Sequence, residues 1–112
     1  LSGAASATGE RGAASATGER GAASATGERS IAAATGECSR IEAGAGGLAV
    51  STANEVTWVV RAGAVFVQRF EIGDGFKVFV ADPLEHGLEN GDVVLIKHGA
   101  IATVNGEPRG TV

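Results

Sequence analysis

The sequence predicts an all-β protein in two parts. A short repeat β-solenoid, built as a multi-chain β-helix, occupies residues 1–47, and a small antiparallel β meander or barrel domain occupies residues 48–112. Three observations predict it. The phrase Gly-Ala-Ala-Ser-Ala-Thr-Gly-Glu-Arg runs unchanged through residues 3–11, 12–20 and 21–29. Degenerate copies follow at residues 30–38 and 39–47. All the aromatic residues (Trp58, Phe66, Phe70, Phe76 and Phe79) lie beyond Leu48, in segments rich in β-branched side chains. A fixed period this short is the mark of stacked or arrayed units.

Within each copy, two glycines in nine residues argue against a helix, because an interior Gly costs about 1 kcal/mol relative to Ala. A strand closed by a Gly-Glu-Arg-Gly turn fits the spacing. Alternation then separates Ala5 and Ala7 from Ala4, Ser6 and Thr8. The degenerate copies choose the inner face. In the fifth copy Arg40 and Glu42 stand where the first has Ala4 and Ser6, while Ile41 and Ala43 stand where it has Ala5 and Ala7. The interior is therefore read as Ala5, Ala7, Ala14, Ala16, Ala23, Ala25, Ala32 and Ala34. The outer face carries hydroxyl columns of Ser6, Thr8, Ser15, Thr17, Ser24 and Thr26. Ile31 is an apolar residue in an outward column, placed to meet the C-terminal part or a neighbouring chain.

Two inward methyl groups per strand recover far less free energy than ordering nine residues costs. Small interior residues let strands approach a narrow common axis, so several chains, most simply three, are expected to build the coil together. A single-chain solenoid, with eighteen residues per two-strand turn, and a disordered Ala/Gly/Ser tract remain open. The chain has no methionine and opens in mid-phrase, so it is read as a fragment or processed form whose repeats extended upstream.

Beyond residue 55 the pattern predicts strands at 56–60, 64–72, 76–81, 93–98 and 100–104. Ile72-Gly73-Asp74-Gly75-Phe76 and Lys97-His98-Gly99-Ala100 read as tight hairpins. Residues 82–91 read as a loop because Pro83 and the polar cluster break the alternation. Trp58, Phe66, Val78 and Leu95 are the expected core.

Composition narrows the function classes. Net charge is −4, whereas nucleic-acid binders need a basic surface to release counterions. No apolar run reaches the length of a membrane-spanning helix. A single cysteine, Cys38, forms no internal disulfide and leaves the redox compartment open. No cofactor is expected, and each motif has a plain reading. Gly44-Ala45-Gly46-Gly47 lacks the Lys and Ser/Thr of a phosphate loop and reads as a flexible hinge. Gly73-Asp74-Gly75 and Asn90-Gly91-Asp92 lack the oxygen series of a calcium loop and read as turns. The Glu10, Glu19, Glu28 and Arg11, Arg20, Arg29 columns read as exposed ion-pair ladders. His86, His98 and Cys38 fall short of a zinc site, and the serines have no triad partners. No catalytic or metal-binding residue is assigned, and the chain is expected not to be an enzyme.

Over residues 3–38 the repeat resembles the alanine-, serine- and glycine-rich repeats of bacteriophage tail and capsid-surface proteins and of bacterial surface proteins. In those, such phrases precede a small β domain. It is more distantly similar to the head repeats of trimeric autotransporter adhesins, whose period is longer. The resemblance implies a structural protein of a fibre, spike or surface decoration on a virion or cell surface. Its partners would be itself, as a homo-oligomer such as a trimer, and other structural proteins of the assembly. Two alternatives stand beside it. One is a binding module whose C-terminal domain recognises a glycan or host protein. The other is an ice-binding solenoid that uses the Ser/Thr columns.

Overall fold

A computed structural model describes residues 4–7, 12–16, 21–25, 27–37 and 39–108. Short strands separated by glycine-containing turns make up nearly all of it. They are β1 (Ala4–Ala7), β2 (Ala13–Ala16), β3 (Ala22–Ala25), β4 (Ile31–Ala34), β5 (Ser39–Ala43), β6 (Leu48–Ser51), β7 (Glu55–Val59), β8 (Val65–Ile72), β9 (Gly75–Ala81), β10 (Val93–Lys97), β11 (Ala100–Val104) and β12 (Glu107–Pro108). A four-residue helix, α1 (Pro83–His86), the only one among the described residues, joins β9 to β10.

The strands form two mixed sheets, and successive strands alternate between them. One sheet has the order β1-β3-β5-β7-β10-β11-β12, the other β2-β4-β6-β8-β9. Each early strand therefore pairs in parallel with the strand two places on. Ala4 pairs with Ala22, and Ala13 with Ile31, eighteen positions apart. The step shortens to seventeen past the identical copies, where Ile31 pairs with Leu48 and Ser39 with Val56. The alternation thus continues beyond the recognisable repeat. It ends where β10 pairs antiparallel with β7 and β9 antiparallel with β8.

Two inward columns show the register. Ala23, Ile41 and Trp58 succeed one another in the first sheet, and Ala14, Ala32, Ala49 and Phe66 in the second. Ala14, Ala23, Ala25, Ala32 and Ala34 are buried, as are Ile41, Trp58 and Phe66. The interior therefore passes from alanine in the early strands to aromatic side chains at β7 and β8. At the turn between β5 and β6 space is tight. A Cβ built on Gly47 would lie 2.4 Å from the Ser30 carbonyl oxygen. Buried Ser30 donates its hydroxyl to the Ala25 carbonyl at 2.7 Å and accepts from Gly44 N at 3.2 Å.

Several expectations are corrected. The C-terminal strands do not close into a barrel. β7, β10, β11 and β12 extend one sheet while β8 and β9 extend the other, because β7 and β8 find parallel partners in β5 and β6. Residues 44–47 are not a flexible hinge. Gly44 and Gly47 are buried, Gly47 N donates to Gly44 O, and Gly46 N donates to Ala62 O. Val78 is 62% exposed, and Leu95 is half-buried on the outer face while Val94 and Ile96 point inward. Both residues lie in near-continuous apolar runs, where period-two alternation has no contrast from which to choose a face. The loop at 82–91 contains α1, whose N-cap Asp82 accepts from Leu84 N at 3.0 Å and whose C-cap Gly87 is left-handed. The hairpins at 73–74 and 98–99 stand where they were expected.

Candidate functional site

The outer faces of the two sheets differ in chemistry. The sheet containing β5 and β7 carries Arg40, Glu42, Glu55 and Thr57 outward. Arg61 Nε there is paired with Glu42, and Lys97 Nζ lies 3.8 Å from Glu55. The other sheet carries an apolar column instead. Ile31, Leu48 and Val65 are in register across β4, β6 and β8, and Ala33, Val50 and Val67 form the next row. Val67 is in turn paired with Val80 of β9.

The apolar surface is most exposed on β9, where Phe76 is 57%, Val78 62% and Val80 53% accessible. These three share a face because side chains of a strand alternate. Their partners on β8 are Glu71, Arg69 and Val67. The Arg69 guanidinium sits 4.3 Å from the centre of the Phe76 ring, a cation–π contact that fixes the ring while leaving it in solvent. Isolated exposed apolar side chains are ordinary, whereas these three stand in a contiguous row.

β9 pairs with β8, which hydrogen bonds tie to the turns around residues 53–54 and 98–99. Buried Gln68 donates from Nε2 to the carbonyls of Ala53 at 2.9 Å and Asn54 at 3.0 Å. Its Oε1 accepts from Gly99 N at 2.9 Å. Asn54 Oδ1 accepts from Glu71 N, and the Glu37 carboxylate accepts from both Asn54 N at 2.9 Å and Glu55 N at 3.1 Å. Thus a repeat-turn glutamate ties down the turn seventeen and eighteen positions further on. This role was not legible from the Glu-Arg pattern, which suggested ion-pair ladders.

The sequence-derived positions fall as follows. Ser6 is in register with Ser24 in one sheet, while Ser15 is in register with Ala33 in the other. The hydroxyl columns are therefore divided between two faces, with Glu42 following Ser24. Ser15 is exposed and Ser24 half-buried. Ala5, Ala7 and Ala16 enter through backbone register alone. Thr8, Thr17, Thr26 and Cys38 lie outside the described residues, as do Glu10, Arg11, Glu19 and Arg20. His86 meets the edge of Phe79, ring centres 5.7 Å apart. His98 holds a left-handed hairpin position and donates its backbone N–H to Asn54 O. Among the described residues no three His, Cys, Asp or Glu side chains converge as a metal site would need. A cleft of about 260 Å³ lies between α1 and the turn before β8, lined mainly by Val60, Pro83, Leu84 and Leu88.

No protein-family model, no curated protein and no solved structure matches this chain.

Proposed function

We propose that this chain is a non-enzymatic structural protein, a two-sheet β-solenoid stalk with its own terminating cap, serving in a fibre, spike or surface decoration. One observation carries the reading. The parallel step of eighteen or seventeen residues runs unbroken from the identical copies through β7 and β8, then gives way to antiparallel β9 and β10. A stack of parallel coils exposes unpaired backbone at its end and needs a dissimilar terminal unit to stay soluble. Reversed strands and a helical crossover supply such a unit here. Identical copies then set length, because any number of them can be inserted without altering the cap.

The test is length. Inserting two further nonapeptides should add one strand to each sheet and extend the particle by about 5 Å. A disordered insert of the same size would instead contribute a root-mean-square span of about 23 Å. Small-angle scattering on chains with two, four and six added copies separates the two. Linear growth near 5 Å per pair supports the stalk, and growth with the square root of insert length overturns it. Light scattering on the same samples distinguishes one chain per stalk from the three-chain arrangement.

A second reading is favoured by Phe76, exposed and backed by Arg69. In it the C-terminal segment is a binding module for a glycan or host protein, and the repeats only space it. Aromatic residues, Phe among them, and arginine are enriched at protein interfaces relative to the rest of the surface. Loss of surface attachment in Phe76→Ala, with the fold retained, would favour it.

A further inference from the structure

We propose that the free edge of β9 is a self-association surface, on which a second copy of this chain adds its own β9 antiparallel about a two-fold axis at Val78. The inference goes beyond the stalk reading and holds whether or not the repeats serve as a stalk.

The two sheets end differently. The sheet ending at β12 closes with a two-residue strand that contains Pro108, after a register irregularity between Leu95 and Ile96. Short strands, prolines, bulges and charged side chains are devices by which proteins block edge pairing. The edge strand β9 has only the last of them, in Lys77. β9 is seven residues long and contains no proline. It pairs with β8 through seven consecutive positions, from Ile72↔Gly75 to Phe66↔Ala81. Among the described residues no strand occupies its other edge.

The sequence of β9 is complementary to its own reverse. Val78 is its middle residue. An antiparallel pair centred there sets Phe76 opposite Val80 of the second copy, Val78 opposite Val78, and Lys77 opposite Phe79. Aromatic side chains beside β-branched ones are favoured cross-strand pairs, whereas like charges directly opposite are destabilising. Here the strand's one charged residue faces an aromatic ring instead of its own copy. Phe76, Val78 and Val80 share the outer face, so the dimer would join two exposed rows into one apolar surface. The axis suits either hydrogen-bonding phase, because a residue pair on a two-fold can be a bonded or a non-bonded pair of the ladder. A seven-residue edge buries less than a standard interface, so the association is weak and concentration-dependent.

Sedimentation of the full 112-residue chain from about 10 µM to 1 mM, the range expected of a small interface, reads the outcome. The expected result is a shift from monomer to dimer mass. Val78→Lys, at a position already 62% exposed, should weaken the dimer at least about tenfold by placing like charges across the axis. Val78→Asp should do the same, and mixing the two variants should restore a dimer. A probe that needs no substitution is hydrogen exchange, in which alternate β9 amides should gain protection as concentration rises. A monomer at every concentration overturns the proposal. So does a dimer or trimer that both substitutions leave intact, or variants that fail to re-associate on mixing while their circular dichroism is native.

Discussion

Trp58 and Phe66 stack across the two sheets with ring centres 5.5 Å apart and planes inclined by 24°. Each is the last parallel-paired member of an inward column whose earlier members are alanine or isoleucine, and buried Val94 and Ala81 follow them on the antiparallel strands. Both are fully buried. The pair is thus the point at which a sparsely filled alanine interior becomes a conventional core. The first prediction follows from its position. Trp58→Ala should cost about 3–5 kcal/mol, the range for deleting a buried aromatic. Trp58→Phe should cost far less, because it keeps an aromatic ring and removes Nε1, which is buried without a hydrogen-bond partner among the described residues. A double-mutant cycle with Phe66→Leu in urea denaturation should return a coupling of about 0.5–1.5 kcal/mol.

Gly47 and Gly75 give a paired test of the corner geometry. A Cβ at Gly47 would meet Ser30 O at 2.4 Å and Gly44 O at 2.8 Å, both backbone atoms that cannot rotate away. Nothing lies within 4 Å of a Cβ at Gly75. Gly47→Ala should therefore destabilise by at least about 1–3 kcal/mol, as overpacking does. Gly75→Ala should stay within about 1 kcal/mol. Equal midpoints for the two variants in thermal denaturation would refute the tight-corner account.

Gln68 carries a pH prediction. In Gln68→Glu, the oxygen replacing Nε2 would face the carbonyls of Ala53 and Asn54, and only a protonated carboxyl can donate to them. Burial and these acceptors both raise the folded-state pKa above the unfolded value near 4.3. A raised pKa means that the stability is fully present below the unfolded value and is lost as pH rises through the folded one. The variant should thus be near wild-type in strength at about pH 4 and progressively weaker toward pH 8. Denaturation midpoints at a series of pH values, referenced to wild type, check it. A pH-independent deficit would mean that the carboxyl has escaped to solvent.

Glu37 tests the link between repeat turns. Its carboxylate accepts from Asn54 N and Glu55 N, bonds made at an exposed turn. Glu37→Ala should lower stability by about 1 kcal/mol and Glu37→Gln by less, since an amide oxygen can still accept. Amide exchange at Asn54 and Glu55 should speed up more than exchange in β10. Unchanged exchange at those two amides would show that the contact does not hold the turn.

The sequence alone determined the all-β character, the placing of the strands between residues 55 and 104, and both C-terminal hairpins. The causes are local: β-branched and aromatic runs favour extended backbone, and Gly73 and Gly99 supply the positive φ their turns require. Pairing was decided only in the tertiary structure. A meander would pair β7 with β8, yet β7 lies between β5 and β10 in the other sheet. Facing was decided there too. In Phe76 to Ala81 and Val93 to Ile96 nearly every residue is apolar, so neither phase of the alternation conflicts with burial. The neighbouring strand settles the choice, turning Val94 and Ile96 onto the interior and leaving Phe76, Val78 and Val80 in solvent. Local propensity fixes where a chain extends. Only the inventory of partners, summed over distant residues, fixes which edge is paired, which face is covered and which is left in solvent.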